Sequence, residues 1–259
     1  MSSPLLLQVG YLARRSVLRT LRQPLNVVPS FVFPLILLAV NVGGLESAAR
    51  IPGFPADSYL DFALAFTFMQ GALFATTNAG TDLARDIQTG FLNRLALTPM
   101  LSAALLLGQL AGVIALALIQ ATLYLTVGLL AGVRPESGLA GVFLIVFLGL
   151  LVALAFGAIG AFLALRTGSG EAIQALFPLF FVFLFLSSMN LPRNLIEIEW
   201  FRIVATINPV SYLIEGIRSL IITGWDAQAL ALGFGLAAGI AALALAAASV
   251  ALKGRLARS

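Results

Sequence analysis

The feature that most constrains this chain is a series of long apolar runs almost free of charge. "VPSFVFPLILLAVNVGGL" at 28–45 is the first of them. A helix needs about 20 mostly apolar residues to cross the roughly 30 Å hydrocarbon core of a bilayer. Inside that core every backbone N–H and C=O must find a partner within the protein. Six runs read as membrane helices, near 28–45, 59–80, 101–131, 139–165, 172–190 and 227–252. The third is longer than a crossing needs, so it tilts or extends beyond the bilayer. The expected fold class is all-α integral membrane, one transmembrane domain over 1–259.

Composition removes several kinds of chemistry. Only 10% of residues are charged and 60% are hydrophobic, against about 25% charged in soluble domains. There is no cysteine, hence no thiol nucleophile, disulfide or Cys metal site. There is no histidine, the usual general base, metal ligand and proton shuttle. No catalytic, cofactor-binding or metal-ligating set is expected. The net charge of +4 does not point to nucleic acid, because the basic residues form no soluble patch.

No ionisable residue lies near the middle of a predicted span; Asp61 and Glu171 sit near span ends. Ion-coupled carriers usually keep intramembrane carboxylates or histidines. The single lysine, Lys253 in "LKGR", is not the P-loop lysine that reaches nucleotide phosphates. Any uphill transport must therefore be fuelled by another chain.

Orientation follows from Lys and Arg near the span ends. With both termini cytoplasmic, ten basic residues fall inside and five outside, the latter being Arg50, Arg134, Arg193, Arg202 and Arg218. Trp200 and Trp225 then lie at the outer interface, which suits indoles. Residues 1–27 read as an amphipathic interfacial helix. Val9, Leu12, Ala13 and Val17 share one side, and Arg15, Arg19 and Arg22 share another, near anionic head groups. A cleaved signal peptide fits less well, since signal n-regions are usually short.

Residues 191–226 are too apolar for a loop and too broken for a span. Asn208–Pro209 is a helix start and Gly224 a stop. The roughly 14 residues between them reach about 21 Å. Glu215 and Arg218 are costly in mid-bilayer. A re-entrant or interfacial helix dipping in from the outer side is expected, preceded by a second short helix in "NLIEIEWFRIV". Gly108/Gly112, Gly128/Gly132 and Gly235/Gly239 have the four-residue spacing that permits close helix packing. With 24 glycines in the chain, chance explains any single pair. In "FPLFFVFLFL", lipid-facing phenylalanines are the first reading. A hydrophobic lining for a substrate, with Phe177, Phe180 and Phe181, is the second.

"TDLARDIQTGFLNRLALTP" at 81–99 interrupts the apolar sequence on the inner side. Asp82, Arg85, Asp86, Thr89 and Asn93 fall on one side of a helical wheel. Leu83, Ala84, Ile87, Phe91, Leu92 and Leu95 fall on the other. Gly90 after Thr89 marks a break, with the second span running on as helix before a short second helix begins. Such a segment either floats on the bilayer or docks a cytoplasmic partner.

The stretch "DIQTGFLNRLALTP" resembles the signature of type-2 ABC exporter permeases, especially the daunorubicin-resistance-like branch. Asp86, Gly90, Phe91, Arg94, Leu95 and Pro99 match it. Asn93 stands where an acidic residue is common. In "NPVSYLIEGIR", Asn208, Pro209 and Arg218 resemble the family's outer-loop motif. The resemblance covers essentially the whole chain.

The resemblance implies a permease subunit in the cell membrane that is not itself an enzyme. Two permeases, identical or sibling, would form the pathway within membrane lipid. Two cytoplasmic ATP-binding subunits would hold ATP and Mg, with no cofactor bound by this chain. The segment 81–99 would be a coupling helix between spans two and three, acting through Asp82, Arg85, Asp86, Gly90, Phe91, Arg94 and Leu95. Asn208, Pro209, Glu215 and Arg218 would belong to an outer gate. The implied substrate is hydrophobic or amphipathic, drug-like or lipid, as in multidrug efflux and antibiotic resistance. The alternatives are export of a lipid-linked polysaccharide and, more distantly, a membrane scaffold without transport.

Overall fold

The computed structural model describes residues 4–96 and 102–256. Pro99 and the first residue of the third apolar run lie outside the described residues. Helices α1 (Pro4–Leu21) and α2 (Pro24–Leu45) are separated by a tight turn, with Pro24 in the first turn of α2, where its missing N–H is not needed. Helix α3 (Tyr59–Gln88) begins at Ser58, whose hydroxyl accepts the Leu60 N–H. It is followed by α4 (Phe91–Ala96), α5 (Ser102–Leu130), α6 (Gly138–Thr167), α7 (Gly170–Phe185), α8 (Glu199–Ile207), α9 (Pro209–Ile222) and α10 (Ala227–Leu256). The described residues contain no strand.

Five helices, α2, α3, α5, α6 and α10, are long and apolar enough to cross a membrane. Helix α3 has 30 residues, about 45 Å at 1.5 Å per residue. The run expected as a full span at 172–190 is shorter. Its helix ends at Phe185 after 16 residues, about 24 Å, and turns follow through Ser188. Asn208 explains the stop. Its side-chain amide donates to the Phe183 and Leu186 carbonyls at 2.6 and 3.0 Å, satisfying acceptors that a continuing helix would have used.

Helix α3 is the core of the molecule, in contact with α2, α5, α6, α7 and α9. Its tightest crossing is with α6. A Cβ on Gly160 would overlap the Thr76 carbonyl, so only glycine permits this approach. Of the glycine pairs in the sequence, Gly108 and Gly112 seat α1 on α5, against Leu12 and Ser16. Gly235 and Gly239 face open space.

Three of the prolines lie inside helices. Pro34 has no N–H for the Ser30 carbonyl, one turn earlier. Gln120 Nε2 and the Tyr124 hydroxyl, both on α5, donate to that carbonyl at 3.0 and 2.8 Å. Pro29 of α2 and Pro178 of α7 likewise deprive the Leu25 and Gln174 carbonyls of a helix donor. No side chain among the described residues donates to either one.

The two ends of the bundle are knit separately. At one end, Arg255 donates to the Leu165 carbonyl at 2.9 Å and Gln88 to that of Gly168 at 3.2 Å. At the other, the Glu136 N–H reaches the Ile221 carbonyl at 3.0 Å. The last turn of α9 therefore lies beside the α5–α6 connection.

Candidate functional site

At the first end, α3 runs on to Gln88, as the sequence predicts, and breaks at Gly90. Gly90 has φ +70°, the left-handed region that glycine enters without cost. Six residues of α4 follow. The polar side of α3 is not free here. Asp86 is buried, and Arg15 of α1 grips both its oxygens at 2.9 and 2.8 Å. Arg19 reaches Asp86 at 2.7 Å and Asp82 at 3.3 Å. The Arg15 guanidinium also lies over the Phe91 ring, 3.8 Å from its centroid. Hydrogen bonding to Asp86 raises the Arg15 pKa, outweighing the lowering effect of burial.

The arginines expected along anionic head groups are thus divided. Arg15 and Arg19 turn inward to the acids, while Arg22 stays exposed. Of the seven coupling candidates, Asp82 and Asp86 face α1. Phe91 and Leu95 are half-buried, and Arg85 and Arg94 point outward. Arg94 donates to the Thr89 carbonyl across Gly90 at 3.3 Å. The exposed face of this end is therefore basic. The pairing had a signal in the sequence: arginines at 15 and 19 and acids at 82 and 86 share the same one-turn spacing.

At the opposite end the structure brings the outer candidates together. Asn208 caps α9 by accepting the Val210 N–H at 3.0 Å while its amide closes α7. Pro209 occupies the first turn of α9. Glu215 takes a two-point contact from Arg193, at 2.8 and 2.6 Å, and a bond from the Ser188 hydroxyl at 2.9 Å. For Arg193, burial lowers the pKa, but Glu215 outweighs it and the net shift is upward. Arg218 is 6% exposed and, among the described residues, forms no ion pair with a carboxylate. It donates to the carbonyls of Phe62, Ser188 and Met189 at 3.2, 3.0 and 3.1 Å. Its guanidinium also lies 3.4 Å from the centroid of the Phe62 ring. One buried cation thereby ties α9 to the start of α3 and to the turn after α7.

The phenylalanines of α7 divide. Phe180 meets Phe156 of α6 edge-on. Phe177 and Phe181 border a groove of about 470 Å³ with Phe33, Val182 and Phe185. Phe177 also closes a neighbouring cavity of about 480 Å³ between α2, α3 and α7, where Thr77, Asn78, Thr81 and Asp82 are exposed to it. These volumes suit small-molecule ligands. The polar residues belong to a stripe along α3 that continues through Gln70 and Thr67. Both are fully buried, and their side-chain polar atoms have no partner. The sequence reading passed over this stripe because no residue in it except Asp82 and Arg85 is charged.

The fold defines a multi-pass helical membrane protein, with the short helix α4 beside the end of its most buried long helix, α3. Residues 7–222 match the ABC-2 type transporter family, and the chain belongs to it. In this family the ATPase is a separate subunit, so the chain works with an ATP-binding partner. The chain is similar to "Putative transport permease ycf38" of Pyropia yezoensis, at 29% identity over 85% of this chain and 75% of the relative. It is 31% identical to the protein of that name from Cyanophora paradoxa, over 81% and 72%. It is also 29% identical to "Daunorubicin resistance ABC transporter permease protein DrrB1" of Streptomyces coeruleorubidus, over 76% and 69%.

Proposed function

We propose that the chain forms one half of an ATP-driven exporter. It acts as a single transmembrane domain in the cell membrane, with both termini cytoplasmic and six crossings, α7 with α9 completing the fifth. Two permease copies, alike or sibling, pair with two ATP-binding subunits. The substrate is a hydrophobic or amphipathic molecule moved outward, with multidrug efflux the nearest physiological setting. The observation that carries this reading is the Gly90 break, which sets α4 apart from α3 beside exposed Arg85 and Arg94.

In this reading the ATPase meets the basic surface of Arg85, Gly90 and Arg94. Asp82 and Asp86 act behind it, fixing α1 to the coupling segment. ATPase closure then moves α1, α3 and α4 as one unit. A partner that binds one state of the permease better than the other shifts its equilibrium by that difference in affinity. Asn208, Pro209, Glu215 and Arg218 hold the outer end shut between cycles. The daunorubicin-resistance relative supports a drug-like substrate. Export of a lipid-linked glycan keeps the same layout.

The test is purification of the tagged permease with its ATP-binding subunit, followed by reconstitution. ATP-dependent outward movement of an amphiphile, lost on Arg94→Glu together with ATPase association, is the expected result. Stable insertion with no bound ATPase and no stimulated hydrolysis would make it a scaffold.

A further inference from the structure

Each of the three internal prolines removes the N–H that would serve the carbonyl four residues earlier, and the three carbonyls are treated differently. The Ser30 carbonyl receives two donors from α5. The other two, at Leu25 and Gln174, receive none from any side chain among the described residues. Leu25, Pro29 and Gln174 all border the cavity of about 480 Å³ between α2, α3 and α7. Both carbonyls lie near the inner ends of α2 and α7, beside Gln23, Asp82 and Arg85, at the level where the head group of an amphiphile would sit; irregular backbone in a membrane protein is tolerated where it lines a cavity.

The third wall has a similar bias. Thr77 and Thr81 spend their hydroxyl protons on the Leu73 and Thr77 carbonyls, at 3.3 and 2.7 Å, leaving only lone pairs toward the cavity. Asn78 lines the cavity, but its Nδ2 is buried away from the open space, so it offers the cavity no donor. The wall's carboxylate, Asp82, is engaged by Arg19 at 3.3 Å, and exposed Arg85 adds positive charge at the rim. A cationic head group meets that charge with no free carboxylate to answer it. An anionic head group brings no donor for the two carbonyls. A neutral group with several O–H or N–H donors satisfies both. Beyond Phe177, the groove of Phe33, Phe181, Val182 and Phe185 is lined by apolar side chains.

We propose that the proline-broken faces of α2 and α7, with Asn78 between them, form a head-group site for an amphiphile. Its polar end is uncharged and rich in hydrogen-bond donors, and its apolar end lies along the phenylalanine groove. This rests on the reading that the chain exports an amphipathic substrate, and it adds the class of head group.

The two prolines supply the test. Pro29→Ala and Pro178→Ala return an N–H to the Leu25 and Gln174 carbonyls and favour the helices. The permease with its ATP-binding subunit, in nanodiscs, is titrated with three pyrene-labelled probes of equal chain length: an alkyl glucoside, an alkyl alcohol and an alkyl trimethylammonium. The glucoside is expected to bind about tenfold more tightly than the alcohol, as one or two buried hydrogen bonds allow. The doubly substituted protein should lose that preference and keep its alcohol affinity, and Asn78→Leu should lose part of it. Phe181→Ala should weaken glucoside and alcohol alike. Retention of the glucoside preference without the prolines, or tighter binding of the ammonium probe, overturns the head-group site. If no probe binds and none is carried outward with ATP, the export reading itself falls. A two-chain glycolipid and a flat aromatic glucoside then separate the sources. Selective loss of either one's binding in the double variant supports the site and identifies its origin.

Discussion

Arg15 and Asp86 lie 71 positions apart and meet through two parallel hydrogen bonds of 2.9 and 2.8 Å. This fork geometry fixes orientation as well as distance. Asp86 is buried while the Arg15 side chain is 36% exposed, so breaking the pair should cost less than the roughly 3 kcal/mol typical of a fully buried one. Asp86→Ala removes a partner from both Arg15 and Arg19 and should lower the thermal midpoint in detergent. Arg15→Ala should lower it less, since Arg19 still holds Asp86. The protein carrying both Arg15→Ala and Asp86→Ala should lose less stability than the sum of the two single changes. Simple additivity would mean the pairing is incidental.

Arg94 points outward and, among the described residues, bonds the Thr89 carbonyl. Arg94→Glu should leave the thermal midpoint within about 0.5 kcal/mol of the parent, as exposed substitutions usually do. Its affinity for the ATP-binding subunit should fall about tenfold or more at low salt, because an opposed rim charge mainly alters association. Raising the salt should narrow the difference. Pull-down across a salt series measures both effects.

Asn208 accepts from α9 and donates to α7. Aspartate is ordinarily as good a helix cap as asparagine. Here Asn208→Asp would set a carboxylate against two carbonyl oxygens. It should destabilise at least as much as Asn208→Ala, which costs about 1–2 kcal/mol as a lost cap. If the aspartate variant matched the parent in stability, the amide's bonds to α7 would carry no weight.

Two glycines in long helices should respond oppositely to the same change. Gly160→Ala would drive a methyl into the Thr76 backbone and should cost at least 1–3 kcal/mol, the usual range for overpacking. Gly235→Ala meets nothing within 4 Å and should stabilise by about 0.5–1 kcal/mol through helix propensity. Fluorescence-detected gel filtration after heating ranks the two against the parent.

Gln70 is buried with both amide atoms unpaired. An unsatisfied buried polar group costs about 1–3 kcal/mol, so Gln70→Leu should raise the thermal midpoint. If the α3 stripe serves the transport path, the same variant should slow ATP-dependent export. A variant that is both more stable and fully active would make Gln70 irrelevant to transport.

Most of the architecture was legible because apolar length alone decides what can cross a bilayer. The helix start at Asn208–Pro209 and the break at Gly90 were readable from turn chemistry. The inward turn of Arg15 and Arg19 left only the matching one-turn spacing of 15/19 and 82/86 as a trace, because a helical wheel shows which side a residue occupies and not what faces it. The stop of α7 at Phe185 was also hidden. The Ser-Ser-Met-Asn stretch is a weak local stop, with the Ser187 hydroxyl donating to the Leu184 carbonyl; the stronger hold is a side chain more than 20 positions further on. Asn78 and Gln70 escaped notice since uncharged polar residues barely change the hydropathy of a run.

Because Asn208 is at once the lid of one helix and the first peg of the next, α7 and α9 meet at a hinge pin. A hinge of this kind transmits rotation but not slack. The carbonyls of the last turn of α7 are held by α9, and the far end of α9 is bonded to the α5–α6 connection. Three segments far apart in the sequence are thus joined in series, with a single amide as the joint between the first two.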